Sequence, residues 1–295
     1  MLAGFTSRKI EVGATYLHVT EAGDGPSILL LHGFPETHLM WRDIAPVLAR
    51  HFRVICPDLP GYGQSGYPMS PEDDFPSSKR DIAALMIEMM RELGHARFMA
   101  AGHDRGGRVA YRLALDHPGS VEKLALLDIV PTGLAWDRAD ARLALSFWPW
   151  SLLAQPFPLP EVLISARPDA VIDHVSAQWG SAKVFPPEIA RAYAEPLHDF
   201  ERVHAICEEY RAAATVDREH DAADLNSRLK IRCPVLALWS AEGGLNQWYA
   251  GEGGPLALWR LFCDHVDGRA VPGGHFFPEE FPEETSASLM SFFGK

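Results

Sequence analysis

The hydrophobic positions of this chain alternate between short strand-like runs and helical stripes through the first 130 residues. Residues 81–93 place apolar side chains on one helical face, and residues 105–116 form a second helical stretch that ends before Pro118. Alternating strands and helices indicate an α/β fold with a mostly parallel sheet, whose ligand crevice lies at the carboxyl ends of the strands. The apolar runs that predict buried strands are residues 27–32, 52–57, 97–102 and 123–130.

The pattern changes from about residue 131 to residue 225, a segment rich in tryptophan, proline and helical stretches without clear strands. A strand-like run returns at residues 231–239, and a weaker one lies at 268–272. We therefore predict a core of residues 1–130 and 226–295, flanked by helices. Residues 131–225 are expected to form an inserted helical cap that lies over the crevice.

Composition narrows the class of protein without defining its chemistry. The 295 residues are 47% hydrophobic and 22% charged, as in ordinary globular proteins. A net charge of -12 argues against a nucleic-acid partner. The four cysteines are widely spaced, the N-terminal residues lack a signal-peptide core, and no apolar run is long enough to span a bilayer. We expect a soluble, cytoplasmic protein with reduced cysteines and no membrane partner.

The stretch Gly102-His103-Asp104-Arg105-Gly106 follows a predicted strand directly and opens a predicted helix. Strand, sharp turn and helix form the nucleophile elbow, whose usual sequence is Gly-x-Ser-x-Gly. Here an aspartate stands in the place of the serine. A carboxylate that attacks a saturated carbon forms an alkyl ester, which water can hydrolyse, whereas a serine would form an ether. Asp104 therefore predicts displacement at carbon, as in dehalogenation or epoxide opening.

Hydrolysis of such an ester needs a base to activate water and an acid to orient the base. In α/β-hydrolases the chain order is nucleophile, acid, histidine. His275 follows the last predicted strand in a Gly-Gly-His loop and fits the base. Asp128, at the end of the strand after the elbow, fits the acid, and Glu242 is the alternative acid in the other position that this fold uses.

Two arginines share one face of the helix that leaves the elbow. Arg105 and Arg108 lie three residues apart on its first turn, where the helix dipole disfavours cations. This placement indicates that an anion binds there, and a guanidinium pair suits a substrate carboxylate. The alternative is an ion pair with a carboxylate from the insert. Arg112, one turn further on, is expected to be structural or at the surface.

The loop His32-Gly33-Phe34-Pro35 is expected to contribute to an oxyanion hole. The backbone N–H of Phe34, with that of Arg105, would stabilise the tetrahedral species formed on the carboxyl carbon of Asp104. His32 itself is expected to be a structural hydrogen-bonding group.

The chain resembles the fluoroacetate (haloacetate) dehalogenases of the α/β-hydrolase fold. The motifs that carry the resemblance are Gly-His-Asp-Arg-Gly-Gly-Arg, Leu-Asp-Ile-Val-Pro-Thr, Trp-Ser-Leu-Leu-Ala-Gln-Pro and Cys-Glu-Glu-Tyr-Arg-Ala. The resemblance implies that Asp104 displaces halide from a haloacetate whose carboxylate Arg105 and Arg108 hold. His275, oriented by Asp128, would then activate water to release glycolate.

The resemblance also implies roles for three aromatic residues of the insert. Trp150 and Tyr210 match two of the family's three halide-binding residues, and Trp179 matches a tryptophan near the substrate entrance, a possible gate. A homodimer without metal or cofactor is expected. One position departs from the family: Pro149 stands where the fluoride-cleaving members have histidine. Proline cannot donate a hydrogen bond, so we expect chloroacetate and bromoacetate to be favoured over fluoroacetate.

Two other functions remain open from the sequence. An epoxide hydrolase shares the fold, the aspartate and the His-Gly-Phe-Pro loop. It generally carries an aromatic residue after the nucleophile, where this chain has Arg105, and it uses two cap tyrosines to protonate the epoxide. A non-catalytic protein that binds a small carboxylate is the second alternative.

Overall fold

Eight strands form one sheet in the computed structural model, which describes residues 2, 4–67, 77–180 and 184–294. Their order is β1-β2-β4-β3-β5-β6-β7-β8; β2 pairs antiparallel with β1 and β4, and the other neighbours are parallel. The predicted α/β fold with a mostly parallel sheet is therefore confirmed, and the β1–β2 hairpin is an addition that the hydrophobic pattern did not predict. The strands are β1 (Thr6–Val12), β2 (Thr15–Ala22), β3 (Ser27–Leu31), β4 (Arg53–Pro57), β5 (Phe98–His103), β6 (Val121–Leu127), β7 (Val235–Ser240) and β8 (Val266–Val271).

Helices of the core flank this sheet on both faces. In β3, Leu29 and Leu31 join one hydrophobic cluster while Ile28 and Leu30 join the other, because successive side chains point to opposite faces. Each fully buried aliphatic side chain of this kind contributes about 1.5–3 kcal/mol to stability. The flanking helices are α1 (Ala45–Leu48), α2 (Lys79–Glu92), α3 (Asp104–Asp116), α12 (Gly244–Trp248), α13 (Gly254–Phe262), α14 (Phe277–Glu280) and α15 (Pro282–Phe293).

The connection between β6 and β7 is helical in the described residues. Its long helix α10 packs against α4, α6, α7 and α11 of the same connection and also contacts α2 of the core. Glu209 of α10 also pairs with Arg105, two residues after the end of β5, so α10 lies beside the carboxyl end of that strand. The helices of the connection are α4 (Thr132–Asp137), α5 (Ala141–Ser146), α6 (Trp148–Leu153), α7 (Leu159–Ala166), α8 (Pro168–Trp179), α9 (Pro187–Ala194), α10 (Phe200–Ala214) and α11 (Val216–Ser227).

Two further observations bear on the environment of the protein. Among the described helices, none has the length and apolarity that a bilayer span requires. The cysteines Cys56, Cys207, Cys233 and Cys263 are free thiols, and all but Cys233 are buried.

Candidate active site

The residue at the elbow begins α3 in a strained conformation. Asp104 has φ +40°, in the left-handed region that non-glycine residues rarely adopt. Glycines make this turn possible on both sides. A Cβ atom at Gly106 would lie 2.3 Å from the carbonyl oxygen of His32, and one at Gly102 would lie 2.4 Å from that of Gly106. The sharp turn therefore presents the Asp104 carboxylate at the end of β5, where it is buried.

The carboxylate of Asp104 lies in a field that favours its ionised form. The backbone N–H of Phe34 donates to its Oδ2 at 3.2 Å, in the place expected of an oxyanion-hole donor. Burial by itself raises the pKa of Asp104. Electrostatic interactions with the His275 ring and with the Arg105 and Arg108 guanidinium groups outweigh that effect and hold the pKa below its ordinary value. The group is thus an anion at neutral pH, as a nucleophile must be.

His275 and Asp128 are brought together at the ends of β8 and β6. Nδ1 of His275 lies 2.6 Å from Oδ2 of Asp128, whose Oδ1 accepts the backbone N–H of Ser240 at 2.8 Å. Since a carboxylate only accepts, Nδ1 carries the proton and Nε2 is free to act as a base. The alternative acid, Glu242, does not hold this nitrogen; its backbone N–H donates to Oγ of Ser240.

A second histidine, which the sequence patterns did not single out, forms hydrogen bonds to two segments of the site. His103 is fully buried, with Nδ1 2.9 Å from Oε2 of Glu36 and Nε2 2.9 Å from the carbonyl oxygen of His275. Both partners are acceptors, so both ring nitrogens carry protons. Burial alone would lower the pKa of His103, but the Glu36 carboxylate outweighs it and raises the pKa to about 9. Oε2 of Glu36 also accepts the N–H of Gly33 at 3.0 Å. This hydrogen bond connects the pair of His103 and Glu36 to the loop of residues 32–35, where the expected oxyanion-hole donor lies.

The two arginines have different hydrogen-bond partners, and Arg105 forms the ion pair that the sequence offered as the alternative to a substrate clamp. Arg105 is paired with Glu209 of α10, through Nε at 2.9 Å and Nη2 at 2.7 Å. This is the ion pair with the insert that the sequence left open. Arg108 donates through Nη1 to the carbonyl oxygen of Val130 and to Oγ1 of Thr132, each at 3.1 Å.

Each of these arginines nevertheless keeps one buried nitrogen without a hydrogen-bond partner among the described residues, Nη1 of Arg105 and Nε of Arg108. Unpaired buried donors are costly, so these two nitrogens are suited to bind an anion. Arg112 proves structural: it is buried and pairs with Asp224 and Asp116 at 2.6 and 2.9 Å.

Two of the three aromatic residues named from the sequence pack on the arginines. The Arg108 guanidinium lies 4.4 Å from the ring centre of Trp150, and that of Arg105 lies 3.9 Å from the ring centre of Tyr210. Pro149 is buried beside Trp150 in α6. Trp150 and Tyr210 therefore lie against the two arginines of the first turn of α3, the helix that Asp104 begins.

The third aromatic residue, Trp179, lies against the histidine. Its carbonyl oxygen accepts the N–H of His275 at 2.6 Å, and its ring stacks on that of Phe147 with centres 5.2 Å apart. Both rings line a cavity of about 440 Å³ that reaches His275 and Asp128 and also contacts Glu242 and Trp248. Asp104 and the two arginines are not among the residues that line it.

A separate cluster of His18, His38 and Asp58 has the residue types of a metal site. Its carboxylate is already saturated, however. Oδ1 accepts from the backbone and Nδ1 of His38, and Oδ2 accepts from Nδ1 of His18 and the N–H of Gln64. We interpret the cluster as structural. His32 is also structural, since its Nε2 accepts the N–H of Leu59 at 2.9 Å.

The sheet, the sharp turn after β5 and the paired histidine and aspartate at neighbouring strand ends define the class of α/β hydrolases. The chain belongs to the alpha/beta hydrolase fold family, whose model matches residues 26–282. It is 38% identical over 294 residues to a fluoroacetate dehalogenase from Burkholderia sp., covering 99% of this chain and 95% of that protein. It is 29% identical over 322 residues to a soluble epoxide hydrolase from Corynebacterium sp. strain C12, covering 99% of each.

Solved structures agree on the fold. An epoxide hydrolase candidate from Pseudomonas aeruginosa superposes with a TM-score of 0.94 at 38% identity, covering all of this chain and 97% of that one. The protein is therefore a hydrolase of the α/β fold, and its relatives include both dehalogenases and epoxide hydrolases.

Proposed function

We propose that this hydrolase removes halide from 2-haloacids, converting haloacetate to glycolate. The observation that carries the proposal is the buried, anionic Asp104 beside two arginines that each keep an unpartnered nitrogen, Arg105 Nη1 and Arg108 Nε. An epoxide is uncharged and needs no such pair. A haloacetate places a carboxylate one bond from the carbon under attack, and the two nitrogens are suited to bind it.

The first step is displacement at the α-carbon. An oxygen of Asp104 attacks from the side opposite the carbon–halogen bond, an alkyl ester forms, and the halide leaves with the bonding electron pair. Trp150 and Tyr210 provide N–H and O–H donors for the departing halide. The substrate carboxylate stays on the arginines throughout, which holds the α-carbon in line with the nucleophile.

The second step is hydrolysis of that ester. Nε2 of His275 takes a proton from water, and the hydroxide adds to the carboxyl carbon of Asp104. The N–H of Phe34 is already 3.2 Å from an oxygen of this group, and with the N–H of Arg105 it stabilises the oxyanion. Asp128 stabilises the imidazolium. The adduct collapses with cleavage of its bond to the glycolate oxygen, which takes the proton from the His275 imidazolium, so glycolate leaves and Asp104 and His275 are restored. The oxygen gained by the product therefore comes from Asp104, and that of water enters Asp104.

Two experiments test this proposal. Halide release from fluoro-, chloro- and bromoacetate is measured by ion chromatography, beside turnover of styrene oxide. A single turnover of chloroacetate in ¹⁸O-water then places the label in Asp104, detected by peptide mass spectrometry. Turnover of styrene oxide without halide release would favour an epoxide hydrolase, and stoichiometric acetate binding without any turnover would favour a carboxylate-binding protein.

The tyrosines of the insert also support dehalogenation over epoxide opening. Residues 131–225 contain two, and the phenol of Tyr193 donates to Oε1 of Glu279 at 3.1 Å. Of these two tyrosines this leaves Tyr210, whose ring lies against Arg105, whereas the epoxide reaction uses a pair. We further propose that Pro149 makes the enzyme favour chloride and bromide over fluoride, because the smallest halide depends most on strong hydrogen bonds.

We propose the helical residues 131–225 as the cap, with Trp179 as its gate at the cavity beside His275, and a homodimer formed through the cap. Its apolar side chains Leu145, Phe157, Leu159, Val162 and Leu163 are each more than half exposed, which is typical of an interface. Light scattering of the protein and of a Leu163→Asp variant tests the dimer, which the variant is expected to dissociate.

A further inference from the structure

A buried ion cluster joins the core to the insert directly beside the proposed nucleophile. Lys79 of α2, Arg105 of α3 and Glu209 of α10 are each at most 5% exposed. Nζ of Lys79 is ion-paired with Glu209 and lies 3.6 Å from Oδ2 of Asp217. Glu209 thus bridges a lysine and an arginine from two core helices. Burial and the Arg105 charge lower the pKa of Lys79 well below its ordinary value, and the carboxylate of Asp217 opposes this shift. Neither the nucleophilic step nor ester hydrolysis uses this glutamate.

Glu209 and its neighbour Tyr210 hold the Arg105 guanidinium through two of its nitrogens and one face of its plane. Glu209 accepts from Nε at 2.9 Å and from Nη2 at 2.7 Å, and its backbone carbonyl accepts from Nη2 at 3.4 Å. The Tyr210 ring covers one face of the guanidinium, with its centre 3.9 Å from Cζ. Nη1 is the nitrogen that remains, buried and without a partner among the described residues.

The charge of the other arginine is not cancelled in this way. Arg108 donates to two neutral oxygens, and no carboxylate of the described residues forms an ion pair with it. Glu209 therefore makes the two arginines unequal. Arg105 offers one oriented donor with little net charge, and Arg108 offers a charge that no ion pair among the described residues offsets.

We propose that Glu209 is a positioning residue, an internal carboxylate that directs Nη1 of Arg105 at the substrate and offsets the charge of that arginine. This rests on the proposed haloacid function. Because Glu209 offsets one of the two charges, the site binds a carboxylate less tightly than two free arginines would, and the product is bound weakly. Because Glu209 holds Arg105 out of ion-pairing reach of Asp104, that carboxylate stays reactive as a nucleophile.

Removal of the Glu209 charge should strengthen acetate binding and slow halide release. In Glu209→Gln the site gains one net positive charge, so an inert carboxylate should bind more tightly, with a Kd for acetate roughly tenfold lower because charges at partly buried sites interact strongly. The freed Arg105 can turn to Asp104 and weaken it as a nucleophile, so the single-turnover rate of halide release should fall roughly tenfold. A merely structural role predicts instead weaker acetate binding with lower stability.

The experiment compares the whole protein with Glu209→Gln and with the matched control Glu208→Gln. Glu208 is the preceding residue of α10 and pairs with Arg211 at 2.7 Å, outside the cluster. Acetate binding is measured by calorimetry and halide release from chloroacetate by rapid quench. Tighter acetate binding with slower release in Glu209→Gln alone supports the inference. Equal behaviour of the two variants, or weaker acetate binding in Glu209→Gln, overturns it.

Two further variants separate charge from position and guard against misfolding. Lys79→Met with Glu209→Gln removes both charges, so acetate affinity should return to the wild-type value while halide release stays slow. Glu209→Asp keeps the charge, so its acetate affinity and its rate of halide release should both be close to those of the wild type. If the wild type releases halide and Glu209→Gln does not differ from it, this inference alone fails. If the wild type neither binds acetate nor releases halide, the proposed function fails with it.

Discussion

The buried pair of His103 and Glu36 predicts a loss of stability at high pH that one substitution should abolish. His103 is held between two acceptors, and its pKa is raised to about 9 in the folded protein, against about 6.5 in an unfolded chain. The folded state therefore binds this proton more tightly. Its contribution to the free energy of unfolding is fully present below about pH 6.5 and is lost as the pH rises through 9.

The difference between the pKa values of His103 in the folded and unfolded states sets the size of this stability loss. A pKa raised from about 6.5 to about 9 corresponds to about 3 kcal/mol at 1.36 kcal/mol per unit. No discount for solvent screening applies, since His103 is fully buried. Between about pH 6 and pH 10 the wild type should lose about 3 kcal/mol more of its unfolding free energy than His103→Gln does, because glutamine does not titrate.

Urea unfolding followed by circular dichroism at a series of pH values measures this difference. Glu36→Gln provides a second test, because it keeps the histidine and removes the carboxylate that raises its pKa. It should show the flatter pH dependence of the His103 variant. Parallel curves for all three proteins would refute the reasoning, since another group would then carry the proton.

Three further predictions concern the reaction. Asp128→Asn should leave the first burst of halide intact but slow ester hydrolysis about 10³- to 10⁴-fold, because His275 loses its acid partner; rapid quench and mass spectrometry of the trapped ester distinguish this from uniform loss. Gly33→Ala should slow the burst roughly tenfold or more, since the new Cβ would lie 2.7 Å from Cβ of Asp104; an unchanged burst in a folded variant would contradict it. Pro149→His should raise fluoride release relative to chloride release roughly 10- to 150-fold, the effect of one charge-assisted hydrogen bond, and an unchanged ratio by ion chromatography would exclude a halide role for this position.

Part of this protein could be predicted from local signals in the chain. The period of apolar residues indicated the parallel strands, since β3 and β5 are short and buried on both faces. Asp104 was identifiable because the elbow needs glycines on both sides of one residue. His275 and Asp128 followed from chain order, since the carboxyl ends of parallel strands meet at one edge. The β1–β2 hairpin escaped prediction because its outer strand is largely exposed and shows no buried apolar run.

The state of each site group was decided by tertiary structure. Arg105 and Arg108 are equivalent in the sequence, three residues apart on one helix, yet only Arg105 meets Glu209, which is 104 residues further along the chain. Likewise, His103 carries a proton on each ring nitrogen because the carboxylate of Glu36, 67 residues away in the chain, lies beside it. Local strand, turn and helix patterns in the sequence predicted the elbow aspartate and its candidate partners, but not the distant residues that pair with them. Which of them are charged, paired or free depends on burial and on distant partners, and only the folded chain brings those together.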